Sequence, residues 1–280
     1  MNALEIKNLT KSYPGFTLDN LNLNLPSGCI IGLIGENGAG KSTTIKLILD
    51  MIHKDSGSIT ILGKDNTDSI ELTKEDIGVV MDEVGIPECL TVKQVGKVMK
   101  NTFRNWNDAE YAHLVQKLAL PEGKQFKEFS RGMKMKMGIA IALSHNAKLL
   151  ILDEATAGLD PVVRDEVVEM LSDFTRDENH SILISSHIVS DLEKLCDYIA
   201  FIHKGKLLLC EEKDQLLSEY GLIHCTTEEL QRIPSCAIKY KKENPYGVEL
   251  MVQRSAIPSS VNVSPISIEE LFVFMVKEAR

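Results

Sequence analysis

The sequence predicts an α/β protein built on a parallel sheet, with an antiparallel β part, an inserted α-helical subdomain and a small α+β C-terminal appendage. Three observations carry that expectation. The runs 29–34 (CIIGLI), 149–152 (LLIL) and 181–185 (SILIS) are apolar almost without alternation, as strands buried on both faces are. Helical stretches separate them, which is the order that builds a parallel sheet. From about 90 to 145 the pattern is helical only and interrupts the alternation like an insertion.

Taken along the chain, residues 4–7 and 18–25 read as short strands around the turn Tyr13-Pro14-Gly15-Phe16. The stretch 56–64 reads as a hairpin arm and 77–81 (IGVVM) as a short strand. TVKQVGKVMKNTF, DAEYAHLVQKLAL and RGMKMKMGIAIALSH have helical periodicity. Asp160 followed by Pro161 is a favourable helix start. Beyond about 205 the character changes. A hairpin is expected around Asn244-Pro245-Tyr246-Gly247, and a final helix opens with the capping box Ser267 to Glu270. That helix, with Ile268, Leu271, Phe272 and Met275, either packs on the core or forms a tail-to-tail dimer contact.

Composition limits the functions to consider. The 280 residues fit one large domain or a main domain with an appendage, and 44% hydrophobic residues suffice for a core. A formal charge of −9 argues against broad nucleic-acid binding, which wants a basic footprint. No apolar run approaches the ~20 residues that span a bilayer. The first residues, MNALEIKNLTKSY, are polar where a signal peptide has its apolar centre. The expectation is a cytoplasmic chain that reaches a membrane only through a partner. Cysteines 29, 89, 196, 210, 225 and 236 contain no C-x-x-C pair and read as buried or incidental thiols.

The motif that carries chemistry is Gly35-Glu36-Asn37-Gly38-Ala39-Gly40-Lys41-Ser42, followed by Thr43. It matches G-x-x-x-x-G-K-[ST], follows a buried strand and opens a helix, the context of a P-loop. Its glycines let successive N–H groups point at phosphate oxygens, and the helix adds its positive end. Lys41 places a cation against the β- and γ-phosphates, and the Ser42 hydroxyl can ligate Mg²⁺. The chain therefore reads as a P-loop NTPase (RecA-like) with ATP and Mg²⁺ as ligands. Such a site needs a carboxylate at the end of a neighbouring strand to hold the metal. Asp153 fits, and Glu154 can take a proton from an attacking water. The alternative is that both acids cap the turn that follows.

LLILDEATAGLDP beside GENGAGKST resembles the ATP-binding subunits of ABC transporters, over roughly 1–215. The resemblance divides the chain into an ATP-binding domain at 1–215, with its helical subdomain at about 85–146, and an accessory domain at 216–280. It also places further residues. Phe129-Ser130-Arg131-Gly132-Met133 stands where the family's signature sits and would meet the ATP of a second subunit. Asp160 falls in the D-loop, His187 in the place of the switch histidine, and Tyr13 where an aromatic stacks on adenine. The alternatives are a strand-end histidine with a backbone partner and an edge-strand tyrosine. Ser130 can cap the helix after it, leaving that helix's N-terminus positive toward a phosphate.

Three positions depart from the family pattern. Arg131 replaces a glycine and Met133 a glutamine, and Arg131 either contacts phosphate or faces solvent. Asp82 stands where the family has a glutamine, either as a metal ligand or as part of a solvated acidic turn with Glu83. The signature-helix methionines read as packing residues. Trp106 reads as an anchor of the helical subdomain or a contact for a permease. FRNW, GMKMK and SIEELFVFMV are similar to ATPases paired with ABC-2-type permeases, among them the phenol-soluble-modulin exporter type. The resemblance implies an ATP-hydrolysing motor that dimerises around ATP·Mg²⁺ and drives export through a separate membrane permease, at the cytoplasmic face of the membrane. Its partners would be a second ATP-binding subunit and the permease, with no nucleic acid. The alternatives are a soluble ABC ATPase acting in translation or DNA repair, and a weakly hydrolysing nucleotide-gated regulator.

Overall fold

The computed structural model describes residues 1–67, 74–245 and 247–278. A six-stranded sheet runs through its centre. Its strands are β3 (Ile30–Ile34), β6 (Ile77–Val80), β7 (Leu149–Asp153), β8 (Ser181–Ser186), β9 (Tyr198–His203) and β10 (Lys206–Glu212), in the order β10-β9-β3-β8-β7-β6. All neighbours are parallel except β9 and β10, which form an antiparallel edge hairpin. A second, antiparallel sheet joins β1 (Asn2–Tyr13), β2 (Phe16–Pro26), β4 (Ser56–Ile61) and β5 (Lys64–Asp65) in the order β2-β1-β4-β5.

The unbroken apolar runs follow from two cores on the two faces of the central sheet. Ile31 and Leu33, Leu149 and Ile151, and Leu183 point to the core shared with β1, β2 and β4. Their alternates Ile30 and Ile34, Leu150 and Leu152, and Ile182 and Ile184 point to the core shared with the helices. With period two, both faces of such a strand are buried, so polar residues appear only toward its ends, as Asp153 and Ser185 do. Each fully buried aliphatic side chain contributes about 1.5–3 kcal/mol.

The helical stretch forms Val92–Thr102, Asp108–Lys117 and Arg131–Leu143. Thr91 with Gln94 makes a capping box on the first, Asn107 caps the second and Ser130 the third. Arg131–Leu143 lies against β6, where a Cβ on Gly138 would come within 3.1 Å of Val80 Cγ1. Met135 and Met137 are buried in this packing, as expected of core methionines. Trp106 is half-buried, donates Nε1–H to Asp108 Oδ1 (3.0 Å) and tilts against Tyr111 at 5.0 Å.

The C-terminal portion holds an antiparallel sheet, β11 (Tyr220–Cys225), β12 (Ile238–Asn244) and β13 (Gly247–Gln253), in the order β11-β13-β12. Asn244 pairs with Gly247 as the hairpin expectation required, while Tyr246 lies outside the described residues. One face makes a small core of Ile223, Val248, Leu250 and Val252. Leu222 and Met251 on the other face join the helical-side core, together with Ile268, Leu271 and Phe274 of the final helix, Ile268–Glu278. Ser267 and Glu270 form that helix's capping box. Phe272 tilts onto Phe201 at 5.2 Å and Phe274 onto Tyr240 at 5.0 Å. Of the two options for this helix, it packs on the core. All six cysteines are free, with Cys196 buried and Cys89 and Cys236 exposed.

Candidate active site

The loop between β3 and the helix Lys41–Ile48 is built by its backbone. Gly40 caps that helix with φ 117°, a left-handed conformation open to glycine. A Cβ on it would also lie 3.1 Å from Phe16 Cζ. The loop is braced from behind: Gly205 N–H donates to the Ala39 carbonyl (2.9 Å), and Asp19 N–H to the Gly205 carbonyl (2.8 Å). Lys41 is 6% exposed and donates Nζ–H to the Gly35 carbonyl (2.8 Å). His203 is buried beneath, with Nδ1 3.3 Å from Glu36 Oε2.

The two adjacent acids diverge because the backbone turns between them. Asp153 ends β7 in the sheet, 2% exposed, and accepts a hydrogen bond from the Ser185 hydroxyl (2.5 Å). Glu154 has φ +54°, sparsely populated for a residue other than glycine. Its N–H donates to the Ser185 carbonyl (3.1 Å) and hydroxyl (3.2 Å), which holds the turn. The Glu154 carboxylate then points back over the loop. Oε1 stands 3.4 Å from Lys41 Nζ, and Oε2 stands 2.6 Å from His187 Nδ1 and accepts His187 N–H (3.3 Å).

These groups share one cleft of about 750 Å³, lined by the loop residues Asn37, Gly38 and Gly40 to Thr43, by Gly15 and Phe16, and by Asp82, Arg131, Glu154 and His187. Residues 35–43 and 153–154, distant in sequence, thus meet at the carboxyl ends of β3 and β7. Ser130 Oγ accepts Met133 N–H (3.3 Å) and caps the Arg131–Leu143 helix at the mouth. Asp160 caps the next helix, Pro161–Phe174, through Val163 N–H (3.1 Å). Gly132 and Met133 are half-buried in the first turn of the signature helix, and Phe129 is buried against Phe126 at 5.7 Å. Arg131 is exposed, and its guanidinium forms an ion pair with Asp82.

Tyr13 is 41% exposed under the Lys11 ammonium, outside the residues that line the cleft. Phe16, three positions on, is the aromatic inside it. Ser185 was also missed. It lies at the end of a strand read only for its apolar residues, and its partners become visible only when β7 and β8 pair.

The donor set suits a hard divalent cation. Ser42 and Asp82 offer oxygens to the cleft, His187 lines it too, and Asp153 is buried at the end of the adjacent strand β7. Among the described residues no group of three or more His, Cys, Asp or Glu could hold a metal alone.

Fold and cleft together define a P-loop ATPase: a parallel sheet whose strand ends hold a phosphate loop beside a positioned carboxylate. A family model described as ABC transporter matches residues 18–157. The lantibiotic transport ATP-binding protein SrtF of Streptococcus pyogenes is 41% identical over 217 residues, covering 75% of this chain and 91% of the relative. The ABC transporter ATP-binding protein YhcH of Bacillus subtilis (strain 168) is 30% identical over 99% of this chain and 97% of its own length. A solved ATP-binding subunit of an ABC transporter superposes with TM-score 0.70 at 28% identity, covering 76% of this chain and 91% of that one. The chain belongs to the ABC transporter family; it binds ATP and is an ATPase.

Proposed function

We propose that the chain is the motor subunit of an exporter, in which two copies close on ATP and drive a separate membrane permease from the cytoplasmic face. The observation that carries this reading is the convergence of Lys41, Glu154 and His187 in one cleft, with a Ser130-capped helix end at its mouth. Among the described residues no helix is long and apolar enough to cross a membrane, and the reading assigns the transport path to a permease. The Streptococcus pyogenes relative is named for lantibiotic transport, which supports a cargo of that kind.

Each residue has a task that its placement supports. Loop N–H groups and Lys41 hold the β- and γ-phosphates. Glu154 accepts the proton of the attacking water, and His187 orients that carboxylate and meets the γ-phosphate. Ser42, Asp153 and Asp82 would hold Mg²⁺, which when bound neutralises charge on the triphosphate. The helix end capped by Ser130 is offered to the ATP of the other copy, where its unpaired N–H groups favour an anion. Asp160 fixes the adjoining turn. Residues 1–215 carry this machinery, with the helical block at about 85–146, and residues 216–280 brace it.

Phosphate release by the purified chain, with and without its co-purifying membrane protein, tests the reading. Turnover above that of Lys41→Ala, and rising with the membrane protein, is expected. Turnover equal to Lys41→Ala under both conditions would favour a regulator. Co-purification with ribosomes or DNA instead of a membrane protein would favour the soluble alternative.

A further inference from the structure

Two of the departures from the family pattern, Asp82 and Arg131, are 49 residues apart and meet each other. Arg131 opens the Arg131–Leu143 helix, and its side chain runs beside Gly158, where a Cβ would lie 3.4 Å from Arg131 Cδ. Its guanidinium then pairs with the Asp82 carboxylate at the end of β6. Both side chains line the same cleft as Lys41 and Ser42. The pair therefore ties the first turn of the signature helix to the chain's own sheet, across the mouth of the nucleotide site.

A carboxylate committed to a guanidinium has its lone pairs engaged and its charge offset, so it cannot also serve a divalent cation fully. We propose that Arg131 is a positioning residue of the cleft in its own chain, restraining Asp82 until the cation that accompanies the triphosphate claims that carboxylate. This rests on the reading of Asp82 as one of the metal-facing groups. Transfer of Asp82 from guanidinium to cation frees the turn Ser130–Met133 to face a second copy. Loading one site is thereby linked to presenting the helix end that the other site needs. Arg131 and Asp82 are both largely exposed, with side chains 59% and 48% accessible, so the pair is of the strength that a competing ligand can displace.

The test separates this role from a plain phosphate contact by the sign of one change. ATP binding to the full chain is measured by titration calorimetry with Mg²⁺ and again in EDTA, for wild type, Arg131→Gln, Arg131→Lys, Asp82→Asn and the Asp82→Asn/Arg131→Gln double variant. The ratio of affinity with Mg²⁺ to affinity in EDTA is expected to rise roughly 3- to 5-fold in Arg131→Gln. It should stay near wild type in Arg131→Lys, and Arg131→Gln should change nothing once Asp82 is Asn. A ratio that is unchanged or lower in Arg131→Gln, or the same rise in the Asp82→Asn background, overturns the proposal. If wild type bound ATP in neither condition, the motor reading itself would fail, a different outcome from either of these.

Discussion

His187 Nδ1 lies 2.6 Å from Glu154 Oε2, so the histidine and the carboxylate act on the same face of the phosphate loop. A carboxylate held at one oxygen by an imidazole, and approached at the other by the Lys41 ammonium 3.4 Å away, has little freedom to rotate. Orientation of this kind is worth several powers of ten when water must attack in line.

Glu154→Gln should lower ATP hydrolysis by ~10²–10⁴ while keeping ATP binding, since the amide preserves shape but takes no proton. The variant should elute as an ATP-bound dimer in size exclusion. His187→Ala should also slow hydrolysis, and in the double variant the two losses should be far from additive, because the groups work as a unit. Near-wild-type turnover in Glu154→Gln would remove it as the base.

Phe16 and Tyr13 compete as the adenine platform, and the geometry favours Phe16. Phe16→Ala is expected to weaken ATP binding by ~1–3 kcal/mol, the range for loss of one aromatic stack on a base, with a smaller loss for Tyr13→Ala. Fluorescent-nucleotide titration of both variants decides; a larger loss in Tyr13→Ala would return the role to the tyrosine.

His145 gives stability a pH dependence. It is buried, stacks on Phe103 at 4.1 Å and has Nδ1 3.2 Å from the Glu75 carbonyl. Burial pushes its pKa below the usual value, against the opposing pull of Glu75 and Asp76. The folded chain keeps it neutral while the unfolded chain takes up a proton near pH ~6.5. Its contribution is therefore complete above that pH and is lost as pH falls toward the lower, folded-state pKa. Urea denaturation at pH 7.5 and 5.5 should show a smaller acid loss in His145→Phe, which keeps the ring stack. Equal losses would show that the residue does not titrate between the two states.

Phe274→Ala should cost about 3 kcal/mol or more, the usual range for removing a buried ring. Thermal unfolding reads this directly. Removing 216–280 outright would uncover Phe201, so a truncated chain should lose stability whether or not it still dimerises.

The sheet and the phosphate loop were legible because both are local. A buried parallel strand has an apolar run of its own, and the loop needs glycines and a lysine in fixed order. The Ser267–Glu270 box and the Asp160 cap were legible for the same reason. The edge hairpin β9–β10 was not, since half of β10 faces solvent and its LLLCEE run lacks strict alternation. Strands β1 and β2 are longer than 4–7 and 18–25 because sheet pairing continues through polar residues and bulges. The sharp turn at Glu154 and the Asp82–Arg131 pair were invisible for a stronger reason. Each depends on a strand from elsewhere in the chain, and no local pattern encodes such a meeting.

The brace behind the phosphate loop carries a kinetic meaning. Gly205 and Asp19 hold the cradle's backbone through Ala39 in the nucleotide-free chain, so part of the ordering entropy of capturing a triphosphate is met during folding. Nucleotide exchange on a single copy can then run at the pace of diffusion and electrostatic attraction. On the proposed motor reading, the tempo of the cycle falls to the encounter of two copies and to whatever burden a membrane permease places on their separation.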